Sequence, residues 1–483
     1  MRLTSGLLTL IVGVTSLAAS AQIQNFEHII ILIQENRTPD NLFQGLCSRP
    51  YGTCAVPPTQ TAPYDIQTSN WSTTGGGKIQ PVPVPLANGF DLGHGHDSFN
   101  IMCDMIGGKS PTCQMDGAAG IQCQAVPPNT CPLNPQFMYV DNSTGILDPY
   151  LTLATQYGWA NYMFQTNQGP SYPAHLFLFA GTSAPSPEDD ASGIFAAESV
   201  NPFGPAGCIT PPNTKSELIS PSLSPLPPFG IEDSSAYPCF EVTTMADLVP
   251  DWMYYTTWSI WSSPNSINHI CVPENGECTG WGTHVVSGNT APSQILTDIG
   301  NCNFHNLTWL IPTGQNSDHP QNNDGGGPSW VASVVNAIGN STCTDLVNGQ
   351  PLTYWQDTAI LIVWDDWGGW YDHEAPTILP KPQGDYQYGF RVPFIVVSAY
   401  TNPHFVDNER NDFGSILRFI ERNFADLGIR EGQLGFADRR ISTDLRAFFH
   451  LNLPPRTFVP IAAPKGADFF INDRRPPLPP DND

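Results

Sequence analysis

The stretch His28-Ile29-Ile30-Ile31-Leu32-Ile33-Gln34-Glu35-Asn36-Arg37 sets the reading of the whole chain. Its apolar run has strand length, and it turns abruptly polar at Gln34, the pattern of a strand buried on both faces. Residues 307–311, 359–364 and 392–398 repeat that pattern. Helix signals lie between them. Asp412 is placed to cap a helix whose Phe413, Ile416, Leu417, Ile420 and Phe424 share one face and whose stop is Gly428. Residues 173–180 and 329–338 also read as helices. Buried strands alternating with helices predict an α/β chain, a three-layer α/β/α sandwich around a largely parallel sheet, with large loops inserted at one edge.

Three of these strands run into oxygen-bearing or imidazole side chains. Residues 28–33 lead to Gln34-Glu35-Asn36, 307–311 to Ser317-Asp318-His319, and 359–364 to Asp365-Asp366. Ligands of open parallel sheets bind beyond the carboxyl ends of the strands, so groups hundreds of residues apart are expected to converge there. Glu35, Asn36, Asp365 and Asp366 would make an oxygen-rich cluster that a divalent cation neutralises. The competing reading of Asp365-Asp366 is a pair of turn residues closed by Gly368-Gly369. Asn36-Arg37-Thr38 spells a glycosylation sequon, but a site beside a buried strand end is poorly accessible.

A second feature is Gly169-Pro170-Ser171-Tyr172-Pro173-Ala174-His175. Pro173 suits the first turn of a helix, which places Ser171 at or just before the N-cap, facing unpaired N–H groups that favour phosphate or sulfate. The competing reading is an ordinary serine cap. His94 and His96 in Asp91-Leu92-Gly93-His94-Gly95-His96, His319, and His373 after Asp372 are further acid/base or substrate-binding candidates.

Composition bounds the rest. The 483 residues carry 44 Asp+Glu against 19 Lys+Arg, a net charge of -25, and 40% are hydrophobic. That apolar content excludes a disordered chain, and the charge excludes a basic nucleic-acid binder. Residues 1–21 read as a signal peptide: Arg2 gives the positive start, residues 7–14 an apolar core, and Ala19-Ser20-Ala21 a cleavage site. The expectation is a secreted or periplasmic protein beginning near Gln22, without stable membrane insertion. All 12 cysteines fall between Cys47 and Cys343, an even count that in an exported chain predicts disulfides, with Cys47/Cys54, Cys123/Cys131 and Cys271/Cys278 as local pairs. Residues 22–453 read as the folded domain and 454–483 as a Pro-rich tail.

These motifs together resemble the bacterial phospholipase C and acid phosphatase phosphoesterase family, part of the alkaline phosphatase superfamily. The resemblance rests on residues 28–37, on Asn167-Gln168-Gly169-Pro170-Ser171-Tyr172-Pro173, and on Trp364-Asp365-Asp366-Trp367-Gly368-Gly369-Trp370-Tyr371-Asp372-His373. It implies an alkaline-phosphatase-like fold and one divalent metal ion, Mg, Ca, Mn or Zn, held by Glu35, Asn36, Asp365, Asp366 and Ser171. Ser171 matches the family's nucleophile, and His94, His319 and His269 match histidines lining its phosphate pocket, with His96 and His373 as further substrate-binding candidates. The family's Val-Asp-His-Thr is here Val406-Asp407-Asn408-Glu409, so no catalytic histidine is assigned there.

The implied function is hydrolysis of a small-molecule phosphate ester or a phospholipid through a phosphoserine. Phosphomonoesters are the first expectation and phospholipase C activity the close alternative, because no amphipathic membrane segment is evident. A sulfatase is a further reading, since Ser171-Tyr172-Pro173-Ala174-His175 approximates the sulfatase maturation signature except at its last position. A non-catalytic protein that captures a phosphate ligand or cation is the alternative from a different class. The export reading predicts that the secreted protein begins near Gln22, as read by amino-terminal sequencing; a chain starting at Met1 contradicts it.

Overall fold

The structure is a computed structural model describing residues 23–104, 112–198, 206–221, 230–257, 259–288, 290–377 and 388–478. The expected signal peptide lies outside the described residues. The core is an eight-stranded sheet built from β1 (His28–Gln34), β2 (Gly158–Ala160), β3 (Trp252–Thr256), β4 (Val285–Ser287), β5 (Leu307–Leu310), β6 (Thr358–Trp364), β7 (Phe394–Val397) and β8 (Phe405–Asp407). The spatial order is β4-β3-β5-β1-β6-β7-β2-β8. β1 is central, parallel to β5 on one side and β6 on the other. Both β1 and β6 are buried along their whole length, which explains why neither alternates polar with apolar residues.

Within this sheet only β7 runs against the others, pairing antiparallel with both β6 and β2. The apolar run 392–398 is therefore not one strand. Arg391 and Val392 pair with Met163 and Phe164 in a separate small sheet. Pro393 lies between the two segments and has no N–H to give a ladder, so the chain changes sheets there.

The helices pack as two groups. One comprises α1 (Asp148–Gln156), α3 (Ala291–Gly300) and α4 (Gly327–Gly339); the other pairs α2 (Ser171–Ala180) with α5 (Phe413–Asn423). This mixed α/β arrangement with a mostly parallel central sheet is compatible with an α/β sandwich. α5 begins where the sequence predicts: Asp412 accepts from Ser415 N at 3.2 Å and Ser415 answers in a reciprocal capping box. The helix ends at Phe424, and Gly428 closes the short 3₁₀ turn that follows, at φ 86°.

After residue 454 the chain returns to the domain. Ile461 and Phe470 are buried, Phe470 meets Trp330 of α4 edge-on, and Leu478 N donates to Gln315 Oε1 at 3.1 Å. All 12 cysteines are paired. The three local bridges expected from spacing form, and Cys103–Cys113, Cys208–Cys239 and Cys302–Cys343 complete the set. Thiol titration of the denatured, unreduced protein should find no reactive cysteine. Opening Cys302–Cys343, which closes a separation of 41 residues, should cost about 4 kcal/mol of stability, read from denaturant midpoints with and without that bridge.

Candidate active site

The register of β1 on β6 creates the site. Gln34 lies opposite Trp364, so the next residues, Glu35 and Asp365, leave the sheet side by side. Backbone bonds lock the two strand ends: Asp365 N donates to Gln34 O at 2.9 Å, and Arg37 N to Asp366 O at 3.0 Å. Asp365 Oδ1 accepts from Asn36 N at 3.0 Å and Asp366 N at 2.7 Å. Asn36 sits at φ 55°, a left-handed conformation that asparagine tolerates better than most side chains. Gly368, at φ 61°, crosses so close to it that a Cβ would come 2.5 Å from Asn36 O. The Gly368-Gly369 pair thus makes the turn that the sequence suggests and also packs against Asn36 in the segment that follows β1.

Ser171 is the first residue of α2, after Pro170. Its hydroxyl does not cap the helix. It lies 3.0 Å from Asp366 Oδ2, 3.2 Å from Glu35 Oε2 and 3.3 Å from Asn36 Oδ1. A hydroxyl has one hydrogen to give and here faces three acceptor oxygens. Asn167 Nδ2 and Gln165 Nε2 both bond Gly169 O, at 2.7 and 3.0 Å, which fixes the approach to the helix.

Two imidazoles close the other side. His94 Nδ1 is 2.6 Å from Leu92 O and His319 Nδ1 2.6 Å from Pro320 O, so in each ring Nδ1–H is the donor. Each then presents Nε2 to Asn36 Nδ2, at 2.8 and 3.3 Å respectively. The loop carrying His319 is held from beneath. Asp318 stands at φ 67°, its Oδ2 accepts from Tyr150 Oη at 2.7 Å, and its carbonyl accepts from Arg37 Nε at 3.0 Å. Burial pushes the Asp318 carboxyl up to about 7 and the Arg37 guanidinium down to about 10.

His175 is a residue that the sequence motifs left without a role. It follows Ser171 by four positions on α2, and that spacing, which puts both side chains on one helical face, is the signal that points to it. Its Nε2 lies 3.1 Å from Glu35 Oε1 and 3.6 Å from Asp365 Oδ2. Burial lowers its ring to about 4, against the opposing pull of Asp365 and Asp366, so it is neutral at ordinary pH.

Glu35, Asp365 and Asp366 are all 0% exposed. Burial, then the neighbouring Glu35 charge, holds Asp365 well above the ordinary carboxylate range. Asp365 Oδ2 has no hydrogen-bond partner. An oxygen-only donor set, a buried orphan carboxylate oxygen and a hydroxyl facing three acceptors fit a divalent cation seated among Glu35, Asn36, Asp365, Asp366 and Ser171.

The remaining histidine candidates are not joined to this group. His96 Nδ1 pairs with Glu232 at 3.1 Å. His269 is partly exposed and bonds Glu241 and Asp247 at 2.5 and 3.0 Å. His373 belongs to a separate buried cluster, 2.7 Å from Asp40 and 3.2 Å from Asp65. There the Arg391 guanidinium donates to Asp372 Oδ2 at 3.0 Å and to Asp65 O at 2.8 Å, so a fixed cation already balances the acids.

A model described as "Phosphoesterase family" matches residues 26–426. The chain is 25% identical over 225 residues to a non-hemolytic phospholipase C of Burkholderia pseudomallei, an alignment covering 41% of this chain and 31% of that one. It is 26% identical over 175 residues to a non-hemolytic phospholipase C of Pseudomonas aeruginosa, covering 31% and 24%. It is 22% identical over 191 residues to phospholipase C A of Mycobacterium tuberculosis, covering 35% and 34%. The chain thus spans about a third or less of the length of these relatives.

The His373 cluster yields a pH prediction. Burial alone would lower this ring, but the adjoining Asp40 and Asp65 carboxylates outweigh it and raise its titration to about 10. An unfolded histidine titrates near ~6.5. Its stabilisation is therefore complete below pH ~6.5 and is lost as pH rises through about 10. Asp372, raised to about 6 by burial, is already ionised across that window. Denaturant unfolding should show this decline in wild type and not in His373→Gln, which should be less stable by on the order of 3 kcal/mol at neutral pH.

Proposed function

The chain belongs to the phosphoesterase family, and from that premise we propose that it is an exported hydrolase of phosphate esters that works through a phosphoserine at Ser171. The observation that carries this reading is the Ser171 hydroxyl at the positive end of α2, within 3.3 Å of oxygens from Glu35, Asn36 and Asp366. When bound, a divalent cation held by Glu35, Asn36, Asp365, Asp366 and Ser171 supplies the positive charge that acidifies this hydroxyl and draws charge from the phosphoryl oxygens.

Ser171 Oγ gives up its proton to solvent and attacks phosphorus in line, forming the Oγ–P bond as the bond to the leaving oxygen breaks. His319 is the general acid. Its Nδ1–H is committed to Pro320 O, so the proton for this step sits on Nε2, which gives up its contact with Asn36 Nδ2 to face the departing alkoxide and passes that proton to it. Asp91 Oδ2 lies 4.0 Å from His319 Nδ1. The neutral His319 then takes a proton from water, whose oxygen attacks the phosphoserine; the Oγ–P bond breaks, and Ser171 Oγ takes back from solvent the proton it gave up in the first step. His94 and Asn36 orient the phosphoryl group, and His175, donating from Nε2 to Glu35 Oε1, keeps Glu35 turned toward Ser171.

A phosphomonoesterase and a phospholipase C share these steps and differ in what the phosphate carries. The relatives named phospholipase C favour phosphodiesters of phospholipids as the second reading. Among the described residues no helix is long and apolar enough to cross a membrane. A panel of aryl phosphates, phosphatidylcholine and an aryl sulfate separates the readings, and release of diacylglycerol without cleavage of aryl phosphates selects the second.

Ser171→Ala should fold normally and lose at least ~10³-fold in kcat, and rapid quench of wild type should trap phosphoserine. Asp365→Ala and Glu35→Ala should each remove most activity, with the double variant little worse than either single, because ligands of one ion act as a unit. Additive, modest losses in steady-state assays, or full activity after exhaustive chelation with no metal found by elemental analysis, would return Asp365 and Asp366 to the role of turn residues.

A further inference from the structure

At the opposite end of the same two strands lies a second cluster of acids and imidazole. His28 opens β1, and Asp357 immediately precedes β6, where His28 pairs with Thr358. Asp345 reaches them from the hairpin formed by Thr344–Val347 and Gln350–Thr353. One ligand-capable atom of each residue lies within 4.8 Å of those of the other two. A strand of this length separates the cluster from Glu35 by roughly 20 Å, so it is no part of the catalytic group.

Three observations point to a ligand. Asp357 is 0% exposed, and neither of its carboxylate oxygens has a hydrogen-bond partner. Asp345 and Glu27 add further negative charge beside it. His28 Nδ1 donates to His305 O at 2.9 Å, which turns Nε2 toward the acids, 2.9 Å from Asp345 Oδ2. An imidazole that bonds a backbone carbonyl through one nitrogen and offers the other is the usual state of a metal-bound histidine. The ring is held in place by Phe304, stacked at 4.6 Å, and by Tyr354 edge-on at 5.0 Å. A simple His28–Asp345 ion pair would leave both Asp357 oxygens buried and unbonded.

We propose that His28 Nε2 and carboxylate oxygens of Asp345 and Asp357 bind a structural divalent cation of the zinc class, with water from the half-exposed side of Asp345 as the fourth ligand. One imidazole with two carboxylates suits zinc, whereas calcium and magnesium prefer oxygen alone. Ligand atoms about 2.0 to 2.2 Å from the ion would stand ~3.4 Å apart, so the His28–Asp345 contact widens by a few tenths of an ångström on loading. The ion would tie the hairpin to the base of the sheet, beside the Cys302–Cys343 bridge.

The test is equilibrium dialysis of the metal-stripped full chain against Zn²⁺ alone, with elemental analysis and thermal melting, on wild type, Asp345→Asn and Asp365→Ala. Asp345→Asn removes a half-exposed ligand and is chosen over Asp357 substitutions, which disturb the core. It should take up one zinc fewer than wild type and lose the zinc-dependent rise in melting temperature, with phosphate ester hydrolysis unchanged. Asp365→Ala should keep this zinc, and its cobalt-substituted form should show the visible absorption of a four-coordinate site. Equal zinc content and equal zinc-dependent melting in wild type and Asp345→Asn would overturn the proposal. Failure of the catalytic cation shows separately, as an Asp365→Ala protein with the metal content of wild type.

Discussion

Three carboxylates, Glu35, Asp365 and Asp366, are held fully buried at the tips of two adjacent parallel strands. Burying even one uncompensated carboxylate costs several kcal/mol, and three at hydrogen-bond distances from the same few atoms repel one another besides. That arrangement persists only where the framework under it yields nothing. β1 and β6 supply that framework: they are paired along seven residues and buried throughout, so the strand ends cannot slip in register without turning every side chain to the wrong face. The acids then receive backbone N–H donors from Asn36 and Asp366, a hydroxyl from Ser171 and an N–H from His175. None of these donors carries a full charge.

Permanent charges lie one layer further out. The Arg37 guanidinium is fully buried behind the tip of β1, where it bonds the carbonyls of Asp318 and Leu86 and lies 5.1 Å over Trp370. Arg391 does the same work for the segment after β6, joining Asp372, Asp65 and Asn161. Each fixes the path of a loop without touching the reacting oxygens. The loop after β5 gains a further hold from the carboxyl-terminal residues, since Gln315 bonds both Pro476 O and Leu478 N, and Arg475 meets Asp324. His319 is therefore clamped on both sides, as the proton donor proposed for it would have to be to meet a leaving oxygen in a fixed direction.

What the sequence discloses follows from how local each signal is. The strands of β1, β5 and β6 are legible because a doubly buried strand has no polar face to confuse its pattern, and the Asp412 cap is legible because a cap is a local contact. The convergence of Glu35 with Asp365 is also readable, since parallel strands end on the same side. The direction of β7 is not, because it is decided by where the chain goes after Pro393, and an apolar run has no polarity of direction. The competing reading of Ser171 as an ordinary cap fails for a related reason: a hydroxyl chooses between backbone N–H groups and charged acceptors, and the charged acceptors come from strands more than a hundred residues away. His175 was hidden because one histidine in an apolar helix reads as core until its partner is known.

Three clusters of the same residue types show how little composition decides. Glu35 with His175 and Asp365, Asp40 with Asp372 and His373, and His28 with Asp345 and Asp357 each bring one imidazole to two acids. Their chemistry separates at the second ring nitrogen. His373 uses both nitrogens on carboxylates, Asp40 and Asp65, and so stays protonated beside Arg391, forming a closed ionic unit. His175 has no partner for Nδ1, so its single proton belongs on Nε2, where it donates to Glu35 and steadies a carboxylate. His28 commits Nδ1 to a carbonyl and turns Nε2 toward the acids, a disposition that a proton or a metal ion completes. Where the other nitrogen's hydrogen goes is thus a sharper guide to function than the presence of histidine among acids.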